Sequence, residues 1–583
     1  MPSYTTTAIR TIALVGHGAA GKTTLTEALL SVAGSIKAKG TVEKGNTVCD
    51  FDPQEKSVGH SLQSAVVHCS YENACLHLLD TPGYPDFAGQ AIAALEAVDT
   101  ALVVINAQTG IELMTERMLR WAKARKLCVM IVINKIDADN IDLPALVSEI
   151  RSRYQGLVLD LPAKGGQEVI EVLENREGVS DFGAIAAAHD ELIERLVEED
   201  MALLEKYLEQ GEEPAAAELH APFESALRAG FAPILFVSAK TGAGVEALLQ
   251  AIAHWAPNPA EGNPPPFIKH QPGKEPETFQ AEPDPDKHVL AHVFKVVSDP
   301  FMGKVGVFRV HQGTLKPEAQ LFIGDGKRPF KATHLYQLQG KDFVEVDALI
   351  PGDIGAVIKV EDIYFDAVLH DSHDEDFIGL KPMNFPKSMC GLAVETRRKG
   401  DEQRLFDLLD KLALEDPTFL VERRPATNET VILGLGEAHL KAKLDRLASQ
   451  YKLDVNTLPP RIAYRETIAQ PAEGHCRHKK QTGGAGQFGE VFLRIEPLPR
   501  GQGIQFVDAV KGGTIPASFM PAVEKGVRQA LDTGVAAGFP VIDLKVTVYD
   551  GKTHTVDSKE IAFVTAARKA VIEAIRAAKA QIL

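Results

Sequence analysis

The chain has 583 residues, of which 45% are hydrophobic and 24% are charged, and its formal net charge at pH 7 is −17. This length exceeds a single hydrophobic core and predicts about four domains. No apolar run is long enough to cross a bilayer or to form a signal-peptide core, so we expect a cytoplasmic protein without membrane partners. The six cysteines form no Cys-x-x-Cys pair, and we expect buried reduced thiols rather than disulfides or metal ligands.

The first motif is a glycine-rich stretch between a strand and a helix. An apolar run over 11–15 predicts a buried parallel strand, and residues 24–30 predict the start of a helix. The intervening loop can turn its backbone N–H groups toward phosphate, with Lys22 at the β- and γ-phosphates and the Thr23 hydroxyl on magnesium. The alternative, a chance glycine loop, applies to an isolated motif, and here three more follow. The predicted phosphate-binding residues are Gly16, His17, Gly18, Ala19, Ala20, Gly21, Lys22, Thr23 and Thr24.

The three further motifs stand in the order that GTPases use. Asp80 ends a second apolar run, where its carboxylate can hold magnesium through a water. Asp137 can accept hydrogen bonds from N1–H and the 2-amino group of guanine, and adenine offers neither donor. We therefore predict a site for GTP or GDP with Mg²⁺. Its further residues are Asp80, Thr81, Pro82, Gly83, Asn134, Lys135, Asp137, Ser238, Ala239 and Lys240.

The first half of the chain divides at changes of composition. We expect a P-loop GTPase domain of α/β class over 1–256, with a subdomain inserted at about 150–230 because Asp137 and Ser238 lie 101 residues apart. Nine of the 34 prolines fall within 257–286, which predicts an extended linker. Strands that alternate with turns over 287–372 predict a β-barrel.

The second half changes pattern twice. Residues 382–458 read as strand, helix, strand, strand, helix, strand, and we expect their leucine stripe (Leu440, Leu444, Leu447 and Tyr451) to pack rather than to bind a partner. Residues 461–583 mix strands with two predicted helices, and the runs Gly483–Gly486 and Asp550–Lys552 predict flexible turns. This last module has 17 Lys and Arg against 12 Asp and Glu, whereas the rest has 45 against 67. It can therefore meet RNA phosphate, although a solvated mixed-charge surface is the alternative.

Together these motifs resemble the translation elongation factor G family, most closely its bacterial elongation-factor-G-like paralogues, over essentially the whole chain. Beyond the nucleotide motifs and Asp80–Phe87, the resemblance is carried by Asp299–Gly303, Gly352–Ile354, Glu415–Phe419, Gly434–Leu440, Tyr464–Thr467 and Lys511–Pro516. The resemblance implies a ferredoxin-like α+β third domain, a ribosomal-protein-like α+β fourth domain that faces the ribosome, and a monomeric GTP-driven factor whose partners are ribosomal and transfer RNA.

By the same resemblance, two loops of the fourth domain, Gln481–Gly489 and Asp550–Asp557, form a tip that contacts RNA. Glycines permit close backbone approach, and basic side chains can meet phosphates. For the histidine of this group, an exposed turn residue without a role is the alternative. The candidate RNA contacts are Arg477, Lys479, Lys480, Gln487, Lys552 and His554.

The chain also departs from the family pattern. Tyr84 stands where the family carries a histidine that orients the attacking water, and a phenol has no cationic form, although its hydroxyl can still bind that water. Val58-Gly59-His60-Ser61 replaces the usual Arg-Gly-Ile-Thr, and Ser61 keeps the hydroxyl that completes the magnesium shell. We expect GTP binding to be retained and hydrolysis to be slow, with Tyr84 as the candidate catalytic position. The chain ends where the family's fifth domain would begin, which predicts a truncated protein or a fragment.

Three functions remain open at this point. The first is a catalytic translational GTPase, a back-up or specialised elongation factor. The second is a GTP-dependent regulator that binds ribosomes without driving translocation. The third is a ribosomal protection factor of the tetracycline-resistance type, which shares the architecture. We favour a GTP-binding elongation-factor-like protein with impaired turnover.

Overall fold

The structure, a computed structural model, describes residues 4–210, 213–263, 265–270, 273–299, 302–481 and 486–583. The chain forms two units: Met1–Arg424 with Glu429–Pro460, and Arg461–Leu583 with Pro425–Asn428. Pro300 and Phe301 of the barrel motif, and the glycine-rich turn and loop tip at 482–485, lie outside the described residues.

The first domain is built on a sheet whose apolar strands are buried on both faces, as in parallel sheets covered by helices. The main sheet has the order β2-β3-β1-β4-β5-β9-β6, with β2 antiparallel to β3 and the other pairs parallel. The strands are β1 Ile9–Gly16, β2 Ala65–Tyr71, β3 Ala74–Asp80, β4 Thr100–Asn106, β5 Cys128–Asn134, β6 Gly156–Val158, β7 Asp160–Ala163, β8 Glu168–Glu171 and β9 Ala232–Val237.

Helices cover both faces of this sheet, and the inserted subdomain lies between β6 and β9. The insertion comprises the β7–β8 hairpin and the helices α6, α7 and α8. The last helix of the domain, α9, ends one residue before the predicted boundary at 256. The helices are α1 Lys22–Val32, α2 Pro53–Val58, α3 Ala88–Leu95, α4 Leu113–Arg125, α5 Leu143–Tyr154, α6 Ile185–Val197, α7 Met201–Gln210, α8 His220–Ala229 and α9 Val245–Trp255.

The proline-rich linker differs from the expected extended chain, because part of it pairs into a small sheet. Strands β10 (Phe267–Lys269) and β11 (Glu277–Phe279) pair in the order β11-β10-β20, where β20 is Ile378–Leu380. Phe267 is fully buried with Ile378 and Leu380 in a core of their own. Burial of these apolar side chains outweighs the polyproline tendency of the neighbouring residues.

The second domain is a curled sheet with the strand order β15-β14-β19-β12-β13-β18-β16-β17. Side chains from the two end strands of this order, Ala332 of β15 and Val346 of β17, pack in one core, so the sheet closes on itself as a barrel does. The strands are β12 Leu290–Asp299, β13 Gly303–Gln312, β14 Ala319–Ile323, β15 Phe330–Ala332, β16 Leu335–Gln339, β17 Asp342–Val346, β18 Ile354–Ile358 and β19 Val368–His370.

Buried polar contacts join the barrel to the first domain. Arg309 of β13 donates from Nη2 to both carboxylate oxygens of Asp99, at 2.8 and 2.7 Å. His77 of β3 lies 3.0 Å from Asp353, which also accepts from the Tyr4 hydroxyl. A buried bidentate pair has low tolerance for displacement, so the barrel holds β3 and its neighbours in a fixed position.

The third domain has the predicted order of strands and helices, packed as an α+β layer. The sheet order is β22-β23-β21-β24, and the leucine stripe of α11 packs in the core with Leu405, Leu409 and Leu412 of α10. The elements are β21 Cys390–Thr396, α10 Glu402–Glu415, β22 Leu420–Arg424, β23 Glu429–Gly434, α11 Glu437–Ser449 and β24 Val455–Leu458.

The second unit is a four-stranded sheet, of order β26-β27-β29-β28, with two helices packed on one face. Strands β25 and β30 pair separately. Among the described residues of the chain, no helix combines the length and the apolarity that a bilayer span requires. The elements are β25 Glu466–Ile468, β26 Ala472–Lys480, β27 Gln487–Pro497, β28 Ile504–Asp508, α12 Met520–Thr533, β29 Leu544–Lys552, α13 Glu560–Ala577 and β30 Ala580–Ile582.

Candidate functional site

The glycine-rich loop lies between the carboxyl end of β1 and the first turn of α1. Its glycines are required by close contacts, because a Cβ on Gly16 would lie 2.3 Å from the Val104 carbonyl oxygen and one on Gly21 would lie 2.4 Å from the Asn134 amide nitrogen. Both glycines have positive φ, 142° and 95°, which other residues rarely adopt. The loop thus leads into a helix N-terminus, the usual binding place for phosphate.

Lys22 is held inside this loop. Its Nζ atom donates to the carbonyl oxygens of Gly16 at 3.1 Å and His17 at 2.8 Å. Burial lowers the pKa of Lys22 to about 8, although Asp80 and Asp50 oppose this shift. This ammonium is buried, and its hydrogen-bond acceptors among the described residues are carbonyl oxygens, so it gains from the arrival of phosphate charge.

A cluster of side-chain oxygens lies beside Lys22. The Thr23 hydroxyl donates to Asp80 Oδ2 at 2.7 Å and lies 3.3 Å from the Ser61 hydroxyl. Ser61 donates to Asp50 Oδ1 at 2.7 Å. The structure therefore brings the three predicted metal residues together and adds Asp50, which the sequence analysis missed because it belongs to no motif.

This cluster has the chemistry that Mg²⁺ prefers. Asp80 Oδ1 and Asp50 Oδ2 are buried and have no hydrogen-bond partner within the described ranges. Burial and the neighbouring Asp50 raise the pKa of Asp80 to about 7, against the opposing Thr23 hydroxyl and Lys22 ammonium. A cluster of oxygen ligands that includes two carboxylate oxygens without hydrogen bonds fits a hard divalent cation. Thr23, Ser61, Asp80 and Asp50 are the residues that would hold it, and the cation would neutralise phosphate charge.

The loop that follows Asp80 closes on the phosphate loop. Thr81 donates from its hydroxyl to the Leu14 carbonyl oxygen at 2.7 Å. A Cβ on Gly83 would lie 2.4 Å from Lys22 Nζ and 2.6 Å from the Gly18 nitrogen. Residues Thr81, Pro82 and Gly83 thus stand against the groups that would face the terminal phosphate.

The third and fourth motifs meet at Asn134, at the end of β5. Its amide nitrogen donates to the Ala20 carbonyl oxygen at 2.9 Å, and its amide oxygen accepts from the Ala239 nitrogen at 3.0 Å. Lys135 donates from Nζ to the Ala19 carbonyl oxygen at 2.9 Å. These bonds tie the base-recognition loops to the phosphate loop.

Asp137 is oriented by the fourth motif. Ser238 donates from its hydroxyl to Asp137 Oδ1 at 2.6 Å and accepts from the Thr241 nitrogen at 3.1 Å. Lys39, which no motif contains, donates to the carbonyl oxygen of Ala239, and its Nζ lies 3.5 Å from the carbonyl oxygen of Lys240. The carboxylate that would read guanine is therefore fixed before the base arrives.

Tyr84 stands at the phosphate end of the site. Its side chain is 38% exposed, and a Cβ on Gly18 would lie 2.8 Å from two of its ring atoms. The ring of His60 lies 4.7 Å from the Tyr84 ring between centroids. In the sequence His60 is only a departure from the family pattern, whereas the structure places it beside Tyr84.

The candidate RNA residues of the second unit gather at one end of its sheet. Lys480 pairs with Gln487, and Glu490 pairs with both Arg477 and Lys552 across the strands. Arg477 lies 3.3 Å from Glu490, and Gln487 accepts from His478 at 3.1 Å. Lys479 and Lys480 are exposed. His554 Nδ1 accepts from the Val556 and Asp557 nitrogens, so this histidine also shapes its own turn.

Family comparisons cover the chain from end to end. The elongation factor Tu GTP-binding domain matches residues 7–258, and elongation factor G domain 2 matches residues 288–366. Elongation factor G domain III matches residues 385–459, and domain IV matches residues 460–579.

Whole proteins give the same result. An elongation factor G-like protein of Mycobacterium tuberculosis is 36% identical over 99% of this chain and 84% of its own length. Elongation factor G of Thermotoga maritima is 34% identical over 99% of this chain and 86% of its own length. A crystal structure of a protein from Thermus thermophilus is similar with a TM-score of 0.84 and 36% identity, over 99% of this chain and 86% of that one. The chain belongs to the elongation factor G family, with its GTP-binding domain and domains II, III and IV.

Proposed function

We propose that this protein is a GTP-hydrolysing translation factor that acts on the ribosome as a monomer, with ribosomal RNA and transfer RNA as its partners. Membership of the elongation factor G family supports GTP binding and translation as its field of action. Guanine is the base that the site would select, and Mg²⁺ is the cation that its oxygen cluster would hold.

One observation carries the nucleotide part of this proposal. The Asn134 side chain makes two hydrogen bonds. It donates to the Ala20 carbonyl oxygen of the phosphate loop, and it accepts from the Ala239 nitrogen of the fourth motif. A single side chain therefore sets the distance between the phosphate-binding and base-reading ends. Such preorganisation supports tight and selective nucleotide binding.

Nucleotide titrations test the base assignment. Wild-type protein should bind GTP and GDP and leave ATP unbound. Asp137→Asn should lose about 1–3 kcal/mol of GTP affinity, because an amide donor then faces the donors of guanine. Equal affinity of the wild type for ATP and GTP would refute the guanine site.

Ribosome cosedimentation tests the partner assignment separately. Binding should be stronger with a non-hydrolysable GTP analogue than with GDP, because γ-phosphate contacts order the loops around the nucleotide. If the protein binds GTP but sediments with ribosomes neither with the GTP analogue nor with GDP, the ribosomal proposal is refuted and the nucleotide proposal stands.

We further propose that Tyr84 keeps hydrolysis slow. A phenol has no cationic form, so it supplies less help to an attacking water than an imidazole does. The ring also lies against Gly18 of the phosphate loop. If ribosomes do not accelerate hydrolysis, the second candidate function, a GTP-dependent ribosome-binding regulator, is favoured.

Single-turnover hydrolysis of pre-bound GTP tests this proposal about Tyr84. Tyr84→His should raise the rate by about 10²-fold, most strongly with ribosomes present, and Tyr84→Phe should change it little. A large loss in the Phe variant with no gain in the His variant would show that the phenol hydroxyl is the working group.

A further inference from the structure

A histidine packs against Tyr84, the aromatic residue that lies beside the phosphate loop. The ring of His60 is tilted by 59° against the Tyr84 ring, and the two ring centroids are 4.7 Å apart. The centroid of the Phe87 ring lies 6.0 Å from that of His60. Tyr84 in turn touches the phosphate loop at Gly18. The Tyr84 ring therefore lies between His60 and the loop that would hold the phosphates.

The segment that carries His60 is fixed on both sides. Helix α2 ends at Val58, and its cap residue Gly59 has a φ of 74° and donates its N–H to the Glu55 carbonyl oxygen. Glu55 Oε1 accepts from the Leu62 and Gln63 nitrogens at 2.9 and 3.0 Å. Ser61, the next residue, belongs to the metal-binding cluster through Asp50. His60 thus stands between two anchored points, so its ring position is defined.

The hydrogen bonding of His60 sets its tautomer. The Nδ1 atom lies 3.2 Å from the Ser61 carbonyl oxygen, which can only accept, so Nδ1 carries a proton. In the neutral ring the Nε2 lone pair is then available, and it has no hydrogen-bond partner in the described part of the chain. The Tyr84 hydroxyl is likewise unbonded there. Two polar groups with free hydrogen-bonding capacity meet at the phosphate end of the site.

We propose that His60 orients the water that attacks the γ-phosphate, accepting a hydrogen bond from it at Nε2. This inference rests on the proposed GTP hydrolysis. In that reaction a bond forms between the water oxygen and the γ-phosphorus, and the bond from the γ-phosphorus to the bridging oxygen breaks. GDP leaves with the electron pair, and the protons of the water end on the released phosphate and solvent. His60 keeps no proton.

Three substitutions separate this role from packing. His60→Phe keeps a ring against Tyr84 and Phe87 but removes Nε2, and His60→Gln keeps a hydrogen-bond acceptor. His254→Phe is the matched control, because that histidine, in α9, is paired with Glu72 of the turn between β2 and β3, away from the site. Single-turnover GTP hydrolysis, GTP affinity and affinity for GDP with tetrafluoroaluminate, which imitates the transition state, are measured on the full chain for all three and for the wild type.

His60→Phe should lower the hydrolysis rate by about 10²-fold, and its affinity for GDP with tetrafluoroaluminate should fall similarly while GTP affinity stays within about twofold. His60→Gln should recover about a tenth of the wild-type rate or more, and His254→Phe should match the wild type. Wild-type behaviour of His60→Phe in hydrolysis and analogue affinity would overturn the proposal, as would a parallel loss of GTP affinity. Absence of hydrolysis in the wild type would refute the proposed function instead, and the analogue affinities would still decide the role of His60.

Discussion

Two regions of the molecule bury carboxylates in opposite ways. In the GTPase domain, Asp80 and Asp50 each leave one buried oxygen without a hydrogen bond from any described residue, and burial with mutual repulsion raises the pKa of Asp80 to about 7. In the second unit, Glu466 accepts hydrogen bonds from five consecutive backbone nitrogens, those of Val535, Ala536, Ala537, Gly538 and Phe539, at 2.7–3.1 Å. Burial alone would raise the pKa of Glu466, but these donors outweigh it and lower the pKa to about 2.

The difference supports our proposal that Asp80 and Asp50 hold a cation, whereas Glu466 holds the surrounding chain. A buried acid with an unpaired oxygen costs stability unless a cation or a proton compensates its charge, and two such acids side by side fit a cation site. A buried acid whose oxygens are fully paired holds the surrounding chain in place. Glu466 thus gives part of the Tyr464–Thr467 motif a structural role.

The largest expected effect is on Glu466. Glu466→Gln should destabilise the second unit by about 3 kcal/mol, because an amide can accept at one end only and leaves buried N–H groups unpaired. Hydrogen exchange of the 535–539 amides in the full chain, followed by mass spectrometry, measures this loss directly. Glu524→Gln, which removes an exposed i,i+4 partner of Arg528, is the matched control and should change exchange little. Equal protection in both variants would refute the structural role of Glu466.

The second largest effect is expected for Asp80→Asn, which, unlike Glu466→Gln, should not destabilise the fold. Asp80→Asn should weaken GTP binding in the presence of Mg²⁺ by about 10–100-fold, because the metal loses a carboxylate. Without nucleotide, the same variant should be as stable as the wild type or more stable by about 1 kcal/mol, since an unpaired buried charge is removed. Trp121 of α4 and Trp255 of α9 both lie in this domain and report its thermal unfolding by fluorescence. A lower unfolding temperature of Asp80→Asn without nucleotide would show that Asp80, like Glu466, stabilises the fold, which would contradict this account.

The smallest expected effect is a pH dependence in the second unit. The pKa of Glu466 is lowered from 4.5 to about 2 in the folded chain. Its contribution to stability is therefore complete above about pH 4.5 and is lost as pH falls toward 2. The difference in protection between wild type and Glu466→Gln should be constant from pH 7 to pH 5 and shrink by pH 3, once intrinsic exchange rates are corrected. A difference that grows at low pH would contradict this assignment.

The sequence predicted the phosphate and base motifs because each consists of neighbouring residues. The run from Gly16 to Thr23 and the Asn134–Asp137 segment contain their own turns, strand ends and candidate ligands, so local pattern suffices. The order of elements in the third domain followed from periodicity for the same reason. The leucine stripe of α11 packs in that domain's core, as expected.

The residues that were missed depend on contacts between distant parts of the chain. Asp50 is 30 positions from Asp80 and carries no motif, and only the fold places both carboxylates beside Thr23. His60 acquires a partner, Tyr84, only when α2 and the loop after β3 are folded together. The donors for Glu466 lie 69–73 residues further along the chain. The linker strands arise from apolar packing with β20, which proline content does not reveal.

The most direct test of the central proposal is phosphate release from GTP, measured with and without ribosomes at saturating nucleotide. We expect slow release by the protein alone and clear acceleration by ribosomes, with no release from ATP. Tyr84→His should respond more strongly than the wild type in the same assay. Release that is identical with and without ribosomes, or that proceeds equally from ATP, would contradict a GTP-hydrolysing factor that acts on the ribosome.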